Sequence, residues 1–206
     1  MTTQTSAPPA RPGLRFSARD LINVAIFAVI YFVTVFAINM LGLISPLVML
    51  VILPLSVIAA GIPFMLFLTR VKHAGMVTLF GAVTALLFLM SGQPWQSTVL
   101  TVVVSVIADL ILAGGGYRSK WAAIWAYTVF TLWYVGPWIP MLLNREEYLS
   151  SPGMQMMGDE YVANFDQVVS TSALGVYCVA TVVCGLVGGL LGSAMLKKHF
   201  VKAGLA

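Results

Sequence analysis

Long stretches of this chain carry no charge, and that feature limits its fold more than any other. A helix needs about 20 mainly apolar residues to cross the hydrocarbon layer of a bilayer, where no water satisfies exposed backbone groups. Apolar runs of this kind recur at about 21–41, 46–69, 75–90, 95–113, 121–143 and 168–196. Of the 206 residues, 60% are hydrophobic and only 9% are charged, whereas soluble domains are roughly 25% charged. So few charges cannot cover a water-facing surface, and the bilayer must be most of the solvent. The pattern predicts an all-α, multi-pass membrane domain over 17–200 with about six crossings. A polar, Pro-rich stretch over 1–16 reads as a disordered tail. The first apolar run is too long for a signal-peptide core and ends in no small-residue cleavage site, so it is read as a retained span.

Charge placement tests the count. Arg11, Arg15 and Arg19 precede the first span, Arg70 and Lys72 follow the second, Arg118 and Lys120 follow the fourth, and Lys197, Lys198 and Lys202 follow the sixth. With six spans these all fall on one side, and the other side keeps Arg145 with Glu146, Glu147, Asp159, Glu160 and Asp166. Basic residues accumulate on the cytoplasmic side of membrane proteins. Both termini are therefore expected in the cytoplasm, in a cell (inner) membrane surrounded by lipid. The same residues read as topology signals rather than nucleic-acid contacts. A loop over 144–167, roughly 24 residues, is expected on the outer side and is longer than a helix connection needs. It reads either as a solvated loop with a short surface helix or as a lid.

Several chemistries are excluded by what the chain lacks. Gly114-Gly115-Gly116-Tyr117-Arg118-Ser119-Lys120 has no Gly-Lys-Ser/Thr ending and reads as a tight turn, not a phosphate-binding loop. No His-Glu-x-x-His and no Gly-x-Ser-x-Gly motif occurs, and His73 and His199 both fall at the basic end. Glu146-Glu147 lacks the arginine four residues on that an intramembrane-protease pattern wants; Ser151 stands there. Cys178 and Cys184 lie six residues apart in one span, roughly 9 Å along a helix, beyond the reach of about 7 Å that a disulfide allows. No catalytic residue, resident cofactor or metal site is expected. The loop methionines Met154, Met156 and Met157 have no histidine or cysteine beside them and read as apolar filler.

The remaining candidates are few. Asp109 is the one ionisable group well inside a span, and such a residue is a functional candidate. It is read either as a partner of Arg118 or Lys120, as a cap on a neighbouring helix, or as a group coupling the chain to a partner. Asn39 and Gln96 lie at the outer ends of spans with Ser45, Ser91, Gln93, Trp95, Ser97 and Thr98. Trp133, Tyr134 and Trp138 flank Gly136-Pro137, where irregular backbone at membrane depth suits a cavity wall. An interfacial aromatic belt is the competing reading, favoured for Trp95. In the first span Ala25 and Ala28 share a face, and in the last Gly185/Gly189 and Gly188/Gly192 sit four apart, a spacing that permits close helix packing. For Gly185 and Gly189 packing within the chain is favoured over docking to another membrane protein.

The stretch FSARDLINVAIFAVIYF from Phe16, the Gly61-Ile62-Pro63-Phe64 break before Thr69-Arg70-Val71-Lys72, and Met156-Met157-Gly158-Asp159-Glu160-Tyr161 together resemble a family. It is the Trep_Strep or MptD-type group of substrate-binding (S) components of energy-coupling factor transporters. The resemblance covers about 16–200. It implies a six-helix bundle, an outward-facing pocket partly closed by loops, a transmembrane coupling protein and two cytoplasmic ABC-type ATPases as partners. It also implies a contact surface on the first helix, for which Ala25 and Ala28 are the nearest match because Val29 interrupts an Ala-x-x-x-Ala pattern. The expected function is capture of a small micronutrient, vitamin-like or related, with Asn39, Gln96, Trp133, Tyr134 and Trp138 as binding residues. A stand-alone secondary permease and a membrane assembly protein are the alternatives. The scarcity of buried ionisable residues weighs against the permease.

Overall fold

The computed structural model describes residues 16–71 and 73–197. The expected tail over 1–16 (apart from Phe16), Lys72, and the basic run with His199 beyond Lys197 lie outside them. Everything with regular structure among the described residues is helical. Helix α1 (Ala18–Asn39) starts on a capping box: the Ser17 hydroxyl accepts from the Asp20 amide, and Asp20 accepts from the Ser17 amide at 2.9 Å. A 3₁₀ turn over Met40–Ile44 leads to Ser45, which caps α2 (Pro46–Leu68) through the Val48 amide. Then come α3 (Met76–Met90), α4 (Trp95–Gly114) and α5 (Lys120–Phe130). A 3₁₀ segment over Thr131–Trp138 runs into α6 (Ile139–Leu143). The short helices α7 (Arg145–Leu149), α8 (Pro152–Gln155) and α9 (Asp159–Val168) precede the long α10 (Thr171–Met195).

Four segments are long and apolar enough to cross a membrane: Ala18–Ile44, Pro46–Leu68, Trp95–Gly114 and Thr171–Met195. The two other expected spans are built differently. Helix α3 has only 15 residues, about 22 Å against a hydrocarbon layer of about 30 Å. The fifth is helical from 120 to 143 but tightens to 3₁₀ at Thr131, five residues before Gly136. Pro137 has no amide to give the Trp133 carbonyl, which removes one rung of the α ladder within this segment. Helix α2 keeps its α ladder past both Pro54 and Pro63. The sixth span begins at Thr171, because residues expected at its start belong to α9.

Close approach of α2 and α10 organises the bundle. A Cβ on Gly61 would run into the backbone of Gly188, and one on Gly192 into the backbone of Gly61. Gly185 packs on Thr128 and Thr131, and Gly189 on Ile124 and Met65. The four-residue glycine spacing thus serves packing within the chain. Around this crossing sits an aromatic core in which Phe67 stacks on Phe80 at 4.6 Å and Phe64 on Phe130 at 5.0 Å. Tyr31 meets Phe80 and Phe130 edge-on, each at 5.6 Å. The outward faces of α1 and α10 carry Ile22, Ile26, Val33, Val176 and Val179, all more than half exposed, as lipid-facing surface should be.

The two ends of the bundle differ in charge. His73 Nε2 lies 3.8 Å from Asp20, which brings the start of α1 to the α2–α3 link. Arg118, Lys120 and Lys197 line one cavity at that same end. Arg145, the glutamates and the loop helices occupy the other.

Candidate functional site

The site is built where α1, α3, α4 and the 3₁₀ segment meet at the end away from the basic cavity. Trp133 and Tyr134 arrive there because the 3₁₀ segment turns both rings inward, leaving them 1% and 2% exposed. Trp133 packs on Phe88 at 4.6 Å and on Tyr134 at 4.3 Å. Its indole N–H donates to the Tyr31 hydroxyl at 3.0 Å. The Ser56 hydroxyl spends its proton on the Leu53 carbonyl at 2.7 Å, so Tyr134 is the donor in the 2.8 Å Tyr134–Ser56 pair. Tyr177 donates to the Tyr134 carbonyl at 3.2 Å. Gly136 presses against Ser97 so tightly that no side chain could stand there, and this joins the segment to α4. Trp133 and Tyr134 are therefore fixed walls whose polar atoms are already used.

Other polar atoms nearby are not used. Asn39 Oδ1, Gln93 Oε1, Thr98 Oγ1 and Trp138 Nε1 are buried without a hydrogen-bond partner among the described residues, as is Thr84 Oγ1 in the middle of α3. The Trp138 indole meets the Tyr177 ring at 5.5 Å, and its N–H engages the Tyr177 hydroxyl only loosely, short of a well-formed hydrogen bond. Buried polar atoms nearly always find partners, and each orphan costs about 1–3 kcal/mol. At this end the set offers two amide carbonyls, one hydroxyl and one loosely engaged N–H, with no charge among them. That chemistry suits an uncharged molecule bearing hydrogen-bond donors.

The loop helices close over this end. Phe165 of α9 is 2% exposed and stacks on Trp138 at 6.2 Å and on Tyr148 at 5.9 Å. Arg145 holds α9 down: it reaches Asp166 Oδ1 and the carbonyls of Asp166 and Val169 at 2.7, 2.6 and 2.8 Å. Burial, with the neighbouring Tyr161, lifts the Tyr148 hydroxyl above the usual phenol range, so it stays protonated here. The amphipathic α9 explains the length of the loop.

The sequence candidates fall out unevenly. Trp133, Tyr134, Trp138 and Asn39 share this end, and Gln96 is half-buried beside them on α4. Trp95 is 65% exposed and belongs to the surface belt. Ala25 and Ala28 do not share an accessible face: Ala28 is 0% exposed in the core, and only Ala25 is open to a partner. Asp109 makes no ion pair with Arg118 or Lys120 among the described residues. Its Oδ2 accepts from the Gly75 amide at 2.6 Å, the Thr78 amide at 3.2 Å and the Thr78 hydroxyl at 3.0 Å, and Oδ1 accepts from Tyr117 at 3.2 Å. It caps α3 from α4, where Gly75 has no side chain to do so. Tyr31, Ser56, Phe165 and Tyr177 were not singled out in the sequence. For Tyr31, Ser56 and Tyr177 the one available signal was a hydroxyl in an apolar run; Phe165, in the loop, gave none.

No curated protein and no solved structure matches the chain. A family model described as a hypothetical bacterial integral membrane protein (Trep_Strep) matches residues 18–202, and the chain belongs to that family of multi-pass integral membrane proteins.

Proposed function

We propose that the chain is the substrate-binding component of an energy-coupling factor importer, capturing a small micronutrient at the outer face of the cell membrane. It binds and presents the ligand and catalyses nothing. The observation that carries this reading is the buried polar atoms of Asn39, Gln93 and Thr98, without partners among the described residues, at the end of the bundle where Arg145 anchors the loop. Unpaired polar groups at a packed helix junction are costly unless a ligand satisfies them. Trp133 and Tyr134 form a preorganised aromatic wall, and Gln96 stands at its edge. The absence of charge in the set favours an uncharged, aromatic or amide-bearing ligand. Six crossings with both termini in the cytoplasm place this end outside, following the distribution of basic residues. In this reading Ala25 supplies part of the contact to a transmembrane coupling protein, which joins two ABC-type ATPases.

Gentle solubilisation of the tagged chain from its native host, followed by mass spectrometry of bound proteins and small molecules, tests the proposal. Recovery of a membrane coupling protein with two ATPases is expected. A chain that purifies alone and transports in liposomes without ATP would overturn it in favour of a stand-alone permease.

A further inference from the structure

The opposite end of the bundle holds a second site that this function does not use. The cavity there has a volume of about 340 Å³ and lies between the ends of α2, α4 and α10 and the start of α5. Its deeper walls are apolar: Met65, Leu68, Leu112 and Leu196. Its rim carries Arg118, Lys120 and Lys197. No carboxylate lines it, and among the described residues none of the three cations forms an ion pair. Asp109, which reaches the lining residue Tyr117, is occupied by α3 and by the Tyr117 hydroxyl, and Asp20 at this end is occupied by the Ser17 cap. That hydroxyl, pushed up to about 12 first by burial and then by the Asp109 charge, stays neutral. The cavity also abuts the amino end of α5, where the helix dipole favours negative charge.

Three like charges around one hollow repel each other unless an anion joins them. The amphiphilic lining adds a second condition, since a fully hydrated anion would gain nothing from four apolar walls. Trp121, 63% exposed next to Lys120, marks the depth of the headgroup layer, where indole rings settle. We infer that this cavity binds the headgroup of an anionic phospholipid, its phosphate held by Arg118, Lys120 and Lys197 and its glycerol and upper acyl carbons against the leucines. Basic pockets between membrane helices recognise acidic headgroups in this way. The inference is independent of what the other end binds.

The test is thermal unfolding of the purified full chain in detergent, titrated separately with dioctanoyl phosphatidylglycerol, dioctanoyl phosphatidylcholine and inorganic phosphate. A saturable rise in midpoint with the phosphatidylglycerol alone is expected. Arg118→Gln with Lys120→Gln should weaken the apparent affinity at least tenfold, whereas Arg19→Gln, an exposed cation outside the cavity, should leave it unchanged. Ala123→Leu fills the cavity while keeping every charge, and should weaken binding as well. It also carries the test if the double variant fails to fold. An equal rise with phosphatidylcholine, no rise with any ligand, or a rise that survives both cavity variants would overturn the site. A rise with inorganic phosphate at matching concentrations would assign the cavity to a soluble phosphate instead of a lipid.

Discussion

Asp109 belongs to α4, yet its oxygens serve α3. Three donors from the first turn of α3 converge on Oδ2, a cap supplied across a helix boundary because Gly75, at φ 93°, brings none of its own. Loss of a helix cap costs about 0.5–2 kcal/mol, and a buried position places Asp109 toward the upper end. Asp109→Ala should lower the thermal midpoint clearly, and Asp109→Asn by less, since one acceptor oxygen survives. If Asp109 coupled the chain to a partner instead, Asp109→Asn would keep the midpoint and lose transport. At the other end, Trp133→Phe removes the N–H that Tyr31 accepts and leaves a buried hydroxyl short of a partner, a loss of about 1–2 kcal/mol. This pairing was invisible in the sequence: Tyr31 and Trp133 are far apart in the chain and either could have been an interfacial ring. Their burial follows from tertiary contact alone.

Among the elements, the α2–α10 crossing depends on backbone meeting backbone. Gly188→Leu should prevent a stable fold, because no rotamer avoids Val57 and Ile58. Gly153→Ala, with nothing within 4 Å of the added carbon, should change the midpoint by less than about 0.5 kcal/mol. The four-residue glycine spacing made close packing of α10 legible in advance, though not its partner α2, and the uncharged runs marked α1, α2, α4 and α10 themselves. The sequence was less informative where length and hydropathy disagree with geometry. Helix α3 is short, the fifth segment is 3₁₀ through its most aromatic stretch, and part of the loop is the amphipathic α9. Local pattern does not report which carbonyl loses its donor. For α9, the anchoring role of Arg145 was hidden by its place as the lone basic residue of that loop. Arg145→Gln should speed hydrogen exchange in α9 while the global midpoint moves little, since the Asp166 partner is half exposed and the pair is weak.

For the whole molecule, the charge asymmetry proposes an orientation that labelling can test. A single cysteine at Ser150, in a background free of Cys178 and Cys184, should react with a membrane-impermeant maleimide on intact cells. One at Ser119 should react only after lysis. Labelling of both positions on intact cells would remove the six-crossing arrangement. What the sequence could express about the proposed site was which residues gather at one end and that they carry no charge. The particular atoms left unpaired, Gln93 and Thr98 among them, emerged only when the helices were brought together.

The eight residues over Thr131–Trp138 also act as a stretched spring coil. Each 3₁₀ residue rises about 2.0 Å and turns about 120°, against about 1.5 Å and 100° for α. Rewinding the coil to α would draw Trp138 back by about 4 Å and swing it nearly half a turn relative to Trp121. The gauge of the site is thus written in the winding of one short segment. A change such as Pro137→Ala, which returns an amide to the Trp133 carbonyl, would bias that winding toward α without altering the Trp133, Tyr134 or Trp138 side chains.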